Sequence, residues 1–204
     1  MKAAPMSIPQ PMEPHGFAGR IFSFLMQRLN DPAYRRTIEL LTPTPDQRFV
    51  EIGFGTGKLL EMMTKRLGEG RVAGVDPSRL MVETAKSRLA RSTVPHDIRQ
   101  GTAENLPWRN ESFDCAAALH SFQFWPDPVQ ALNEIHRVLK PGGTLVLILR
   151  NHEKANAVDW LPNPWSRGPG EAENAMRLAE QAGFETRRTE DTGSSPTLIA
   201  CRRQ

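Results

Sequence analysis

The sequence predicts an α/β fold: a doubly wound, seven-stranded, mostly parallel sheet with a short N-terminal helical cap. Two observations carry this. Apolar runs of strand length alternate with stretches of helical spacing, the pattern that places helices on both faces of a parallel sheet. Between the first strand and the first inner helix, glycine recurs at positions 53, 55 and 57, marking a tight strand-to-helix turn.

Residues 1–14 are rich in proline and methionine and are expected to be disordered. The helical cap is placed over 15–42. From Gly16 to about Asn30, Ile21, Phe22, Leu25, Met26 and Leu29 share one side. Asn30-Asp31-Pro32 breaks that helix and starts a second, which runs to about Leu41 and stops before Pro43. These two helices suit either a cover over a ligand site or a packing layer at the sheet edge. The main domain is placed over 43–204.

Phe49, Val50 and Ile52 form the first strand, and Leu59, Leu60, Met63 and Leu67 mark the helix after the glycine turn. Val72–Val75 is the second strand, ending at Asp76. Pro77-Ser78 then opens a helix that faces inward through Met81, Val82, Ala85 and Leu89. Asp97–Gly101 is a weaker third strand and Phe113–Leu119 a fourth. Asp127 begins a helix with Leu132, Ile135 and Leu139 facing in, and Lys140-Pro141-Gly142-Gly143 reads as a hard turn before a fifth strand, Thr144–Leu149. Residues 151–170, with Trp160, Trp165, Pro162, Pro164 and Pro169, interrupt the alternation and read as a short lid. Glu171–Ala182 is helical, closed by Gly183, and Phe184–Thr189 with Thr197–Arg202 forms a hairpin at the sheet edge.

The chain has 204 residues, 26 Lys plus Arg against 23 Asp plus Glu, and a formal charge of +3. Its basic residues fall in scattered pairs such as Arg35-Arg36 and Arg202-Arg203, not in a stripe, so nucleic-acid binding is not indicated. Cys115 and Cys201 lie in strand-like apolar runs and read as small buried thiols; neither has metal-ligand spacing, and no metal is expected. No apolar run reaches the ~18 residues of a membrane span, and Pro5, Pro9, Pro11 and Pro14 interrupt any signal-peptide core. The chain is therefore expected to be cytoplasmic, as a monomer or homodimer.

The central motif is acid-x-Gly-x-Gly-x-Gly, Glu51 through Gly57. A dinucleotide fingerprint would place glycine at 58, which is Lys58, and a phosphate loop would follow Gly57-Lys58 with Ser or Thr, where Leu59 stands. In an open parallel sheet, ligands lie beyond the carboxyl ends of the strands. Asp76, ending strand two 19 residues after Gly57, can there accept ribose hydroxyls; its other reading is an acid at a helix N-terminus.

Four ordered segments then carry a resemblance. Besides Glu51–Gly57 they are Asp76-Pro-Ser-Arg-Leu-Met81, Gly101-Thr-Ala-Glu-Asn-Leu-Pro-Trp108, and Ser112-Phe-Asp114 with Glu134-Ile-His-Arg-Val-Leu-Lys-Pro-Gly-Gly143. Over about residues 47–150 the chain resembles the class I methyltransferases that use S-adenosylmethionine, nearest the small-molecule enzymes of ubiquinone and menaquinone biosynthesis. The resemblance implies a Rossmann-like methyltransferase fold and a small-molecule acceptor; no nucleic-acid partner and no stable membrane insertion are expected. It implies that Glu51 orients the cofactor's amino group and that Gly53, Phe54, Gly55 and Gly57 lie against its methionine part. Asp76 and Pro77 would hold the ribose, Met81 would pack on adenine, Thr102, Ala103 and Glu104 would border it, and Leu119 would face the methionine end. Thr102 departs from the aspartate that many relatives carry.

Many relatives have histidines where this chain has Gln123 and Phe124, so His120 is the nearest titratable candidate for a catalytic base. The implied reaction is an in-line displacement at a sulfonium methyl, onto an apolar or aromatic acceptor. It needs alignment more than proton transfer, so the absence of a catalytic dyad is compatible with an enzyme. A cofactor-binding module or regulatory subunit without catalysis is the alternative reading.

Overall fold

A computed structural model describes residues 31–149, 170–189 and 196–203. The expected disordered segment at 1–14, the first cap helix and residues 151–169 of the expected lid lie outside the described residues. In chain order the elements are α1 (Asp31–Leu41), β1 (Arg48–Ile52), α2 (Lys58–Thr64), β2 (Arg71–Asp76), α3 (Arg79–Leu89), β3 (His96–Gln100) and β4 (Phe113–Leu119). A 3₁₀ turn (Phe122–Phe124) follows, then α4 (Pro128–Val138), β5 (Leu139–Ile148), α5 (Glu171–Gln181), β6 (Phe184–Thr189) and β7 (Thr197–Arg202).

The seven strands form one sheet in the order β3-β2-β1-β4-β5-β7-β6. Strands β1 to β5 pair in parallel, and β7 runs antiparallel between β5 and β6. The strand order reverses at β1, so the carboxyl ends of β1, β2 and β4 meet at one crevice.

Period-two alternation divides the core into two layers. Phe49, Cys115, Ala117, Leu119, Val146 and Ile148 face α1, α2 and α3. Val50, Ile52, Ala116, Ala118, Leu145 and Leu147 face α4 and α5. Both faces are covered, which is why the central strands read as continuous apolar runs. In α1, Tyr34, Ile38 and Leu41 are buried in the first layer, so this helix packs on a face of the sheet.

Two expectations require correction. Lys140–Gly143 does not separate α4 from the fifth strand. Leu139 already pairs with Phe113, and Thr144 pairs with Cys115, so the intervening residues bulge out of a strand that starts at Leu139. Leu139 is fully buried, Gly142 takes φ +76°, and Lys140 donates to Asp114 at 2.6 Å. Burial of Leu139 on the sheet side outweighs the local turn signal. Cys201 is exposed, not buried: along the β7 face that carries Thr197, Ile199 and Cys201, burial falls from buried through half-buried to exposed.

Candidate active site

Gly53, Gly55 and Gly57 all have left-handed backbones, with φ of +74°, +53° and +73°, a region L side chains enter at a cost. They differ in what a side chain would meet. A Cβ on Gly53 would lie 2.7 Å from the Ser121 Cβ, and one on Gly57 would lie 2.7 Å from the Ala85 Cβ. One on Gly55 would meet nothing within 4 Å. Gly53 and Gly57 are thus needed for close packing of the turn, whereas Gly55 looks onto open space.

The turn is held from below. The Gly53 N–H donates to Val75 O at 2.8 Å and the Gly57 N–H to Phe54 O at 2.9 Å. Phe54 is buried, over the position where Gly74 lacks a side chain.

Asp76, the last residue of β2, is only 6% exposed. Its Oδ2 accepts the Gly55 N–H at 2.8 Å and its Oδ1 accepts the Ser78 N–H at 2.9 Å. Ser78, not Asp76, is the N-cap of α3, accepting the Met81 N–H. Burial pushes the Asp76 carboxyl up to about 6, against the lowering effect of those two N–H donors. Glu51 on β1 is 2% exposed and accepts the Leu60 N–H from the first turn of α2. Its Oε2 has no partner among the described residues. Burial first, then the neighbouring Asp76 charge, raise its carboxyl well above the usual range. Two carboxyl groups therefore stand side by side with no cation paired to either among the described residues.

The other candidates surround this pair unevenly. Pro77 is half-buried and its carbonyl accepts the Gln100 amide at 3.0 Å. Met81 and Leu119 are buried in the first core layer. Gly101 N–H donates to Asp76 O at 3.1 Å, which attaches the loop holding exposed Thr102, buried Ala103 and half-buried Glu104. Glu104 also accepts the Asp127 N–H at 3.4 Å. His120 directly follows β4, with φ +51° and its N–H donated to Ile148 O at 2.8 Å. The structure thus joins the glycine turn to Asp76 and to Ser121 just after β4, sets Glu51 where its charge and that of Asp76 interact, and ties the 101–104 loop to them.

Sequence reasoning gave no role to several residues that build these walls. Ser121 crosses Gly53 and donates to Ile52 O at 3.0 Å. Glu134 and Arg137 grip the loop after β3: Glu134 accepts the Leu106 N–H, and Arg137 donates to the Leu106 and Trp108 carbonyls. Their i,i+3 spacing on α4 was the available signal. Among the described residues, no cluster of His, Cys, Asp and Glu is placed to hold a metal ion, and no helix is long and apolar enough to cross a membrane.

Residues 50–147, the span that contains this crevice, match the methyltransferase domain family. The chain carries a methyltransferase domain. The chain is 31% identical over 138 residues to 2-methyl-6-phytyl-1,4-hydroquinone methyltransferase 1, chloroplastic, of Oryza sativa subsp. japonica, a match covering 68% of this chain and 41% of that one. It is 30% identical over 138 residues to a ubiquinone/menaquinone biosynthesis C-methyltransferase of Geotalea daltonii, covering 66% of this chain and 57% of the relative. Its fold is similar to that of a SAM dependent methyltransferase from Aquifex aeolicus, with TM-score 0.74, 19% identity, and 88% and 97% of the two chains covered. The chain spans about half the length of these curated relatives. The cofactor of the family is S-adenosylmethionine.

Proposed function

We propose that this chain transfers the methyl group of S-adenosylmethionine to a small apolar or aromatic acceptor, of the hydroquinone type named in two of its relatives. The observation that carries the reading is the junction of Gly55 and Asp76. An open-faced glycine is hydrogen-bonded to a buried carboxylate at the point where the sheet's strand order reverses. The residues present suit the cofactor: Glu51 offers an unshared buried oxygen to an ammonium, and each Asp76 oxygen keeps a lone pair after its N–H bond.

In this reading Asp76, next to Pro77, holds the ribose hydroxyls, Glu51 orients the amino group, and Gly53, Phe54, Gly55 and Gly57 form the surface under the methionine part. Met81 and the Thr102-Ala103-Glu104 loop border adenine, and Leu119 and His120 stand at the methyl end. When bound, S-adenosylmethionine supplies an electrophilic methyl on a positively charged sulfur. The protein's part is to align the acceptor's attacking atom, a contribution of several kcal/mol when the geometry is fixed. His120 serves as base only toward an acceptor whose attacking group is protonated at working pH. The same proposal covers residues 15–42 as a cap, 151–170 as a lid, and a cytoplasmic placement.

The test is to incubate the protein with S-adenosylmethionine and a reduced, dihydroxyaromatic quinone, and to measure S-adenosylhomocysteine. Formation that depends on the acceptor supports the reading. Saturable cofactor binding with no turnover on any small aromatic acceptor would favour the binding-module alternative.

A further inference from the structure

The chain leaves β4 through a residue in an unusual state. His120 is a non-glycine with φ +51°, in the left-handed region that only a few per cent of non-glycine residues occupy, histidine more readily than most. Such a conformation persists only where neighbours over-determine it. Both sides of His120 are pinned. Its N–H donates to Ile148 O at 2.8 Å, and its carbonyl accepts the Gln123 Nε2 at 2.8 Å.

The Gln123 bond fixes which way that amide points. A carbonyl oxygen can only accept, so the nitrogen faces His120 and the oxygen faces away. Gln123 is 7% exposed, and its Oε1 is buried without a partner among the described residues. A buried amide that satisfies only its nitrogen is unfavourable by itself, so the bond to His120 is its structural contribution. The base of the clamp is rigid: Phe122 is fully buried and stacks edge-on against Trp125 at 5.1 Å, and the Phe124 N–H donates to Ser121 O at 2.9 Å.

The left-handed step at His120 has a direct result. It turns the chain so that Ser121 lies over Gly53, at the 2.7 Å that leaves no room for a Cβ, and donates to Ile52 O. We propose that Gln123 is a positioning residue: its side-chain amide clamps the His120 carbonyl, and so holds Ser121 against Gly53 and shapes the surface on which the cofactor's aminoacyl end rests. The last part rests on the proposed function; the clamp itself does not. Gln123 acts through His120 and does not touch reacting atoms.

The test is a double-mutant series read by amide hydrogen exchange and by calorimetry with S-adenosylmethionine alone. Gln123→Ala should speed exchange at Ser121 and Phe124 about tenfold and weaken cofactor binding several-fold. His120→Gly, which adopts positive φ without strain, should restore both when combined with Gln123→Ala; His120→Asn should restore them in part. A structural cavity at 123 would not be repaired from position 120. Unchanged exchange in Gln123→Ala, or no rescue by His120→Gly, overturns the clamp. Altered and rescued exchange in a protein that never binds the cofactor leaves the clamp standing and removes the proposed function.

Discussion

The Asp76 carboxylate accepts the Gly55 N–H at 2.8 Å, joining the end of β2 to the middle of the glycine turn that ends β1. The two parts of the crevice that sequence spacing treats as separate signals are therefore one hydrogen-bonded unit. A change at either residue should be felt at the other.

The glycines should separate by function. Gly57→Ala must push against the Ala85 Cβ at 2.7 Å in a left-handed backbone, and is expected to destabilise the fold by about 2–4 kcal/mol. Gly55→Ala has open space and should lose only the backbone term, about 1–2 kcal/mol, while weakening cofactor binding at least tenfold. Chemical denaturation and calorimetry on both variants check this; a Gly55→Ala protein that binds as the parent does would contradict it.

Stability should fall as pH rises through the weakly acidic range. Asp76 is raised from 3.8 to about 6 by burial, and Glu51 is raised well above its ordinary value by burial and then by Asp76. For such groups the folded state holds more protons than the unfolded one. Their contribution is complete below the unfolded carboxyl range and is lost as pH rises through the folded values. The free energy of unfolding should therefore decline from about pH 4 to about pH 6, by on the order of 1–3 kcal/mol. Glu51→Gln should flatten the slope. The lowered carboxyls of Glu61, Asp97 and Glu134 act in the opposite sense, and their loss sets in below that window.

Cofactor affinity should show the complementary trend. Asp76 must be ionised to accept two hydroxyls, so affinity should rise with pH up to about 6 and then level off. Titrations across pH 5 to 8 read this directly; a flat profile in the parent protein would remove the ionised Asp76 from the site.

Arg137 is expected to matter for the loop that reaches the site. It donates to the Leu106 and Trp108 carbonyls and pairs with Glu134 at 2.7 Å. Arg137→Ala should destabilise by about 1–3 kcal/mol and speed exchange at the Leu106 amide, which Glu134 accepts. Arg137→Lys should recover little, since lysine cannot serve two carbonyls and a carboxylate in one plane.

Periodicity was enough to place β1, β2, β4 and their helices, because both sheet faces are covered and apolar runs follow the strands closely. The terminal hairpin was legible too, and it sits at the edge as β7 and β6. Local signals misled where tertiary burial opposed them: Lys140–Gly143 has turn chemistry, yet Leu139 is drawn into the sheet ahead of it. Exposure of Cys201 could not be read from its apolar neighbours, because the strand's cover ends before it. In the site, Glu51, the glycines and Asp76 were visible as a motif. The clamp of Gln123 on His120 was not, since no spacing rule announces a side chain that holds a left-handed carbonyl.

The most direct measurement is calorimetric titration of the purified protein with S-adenosylmethionine, run beside Asp76→Ala. Saturable one-to-one binding is expected in the parent, weakened at least tenfold, about 1.4 kcal/mol, in the variant. A parent that takes up no cofactor, or a variant that binds it equally well, would contradict the assignment of this crevice.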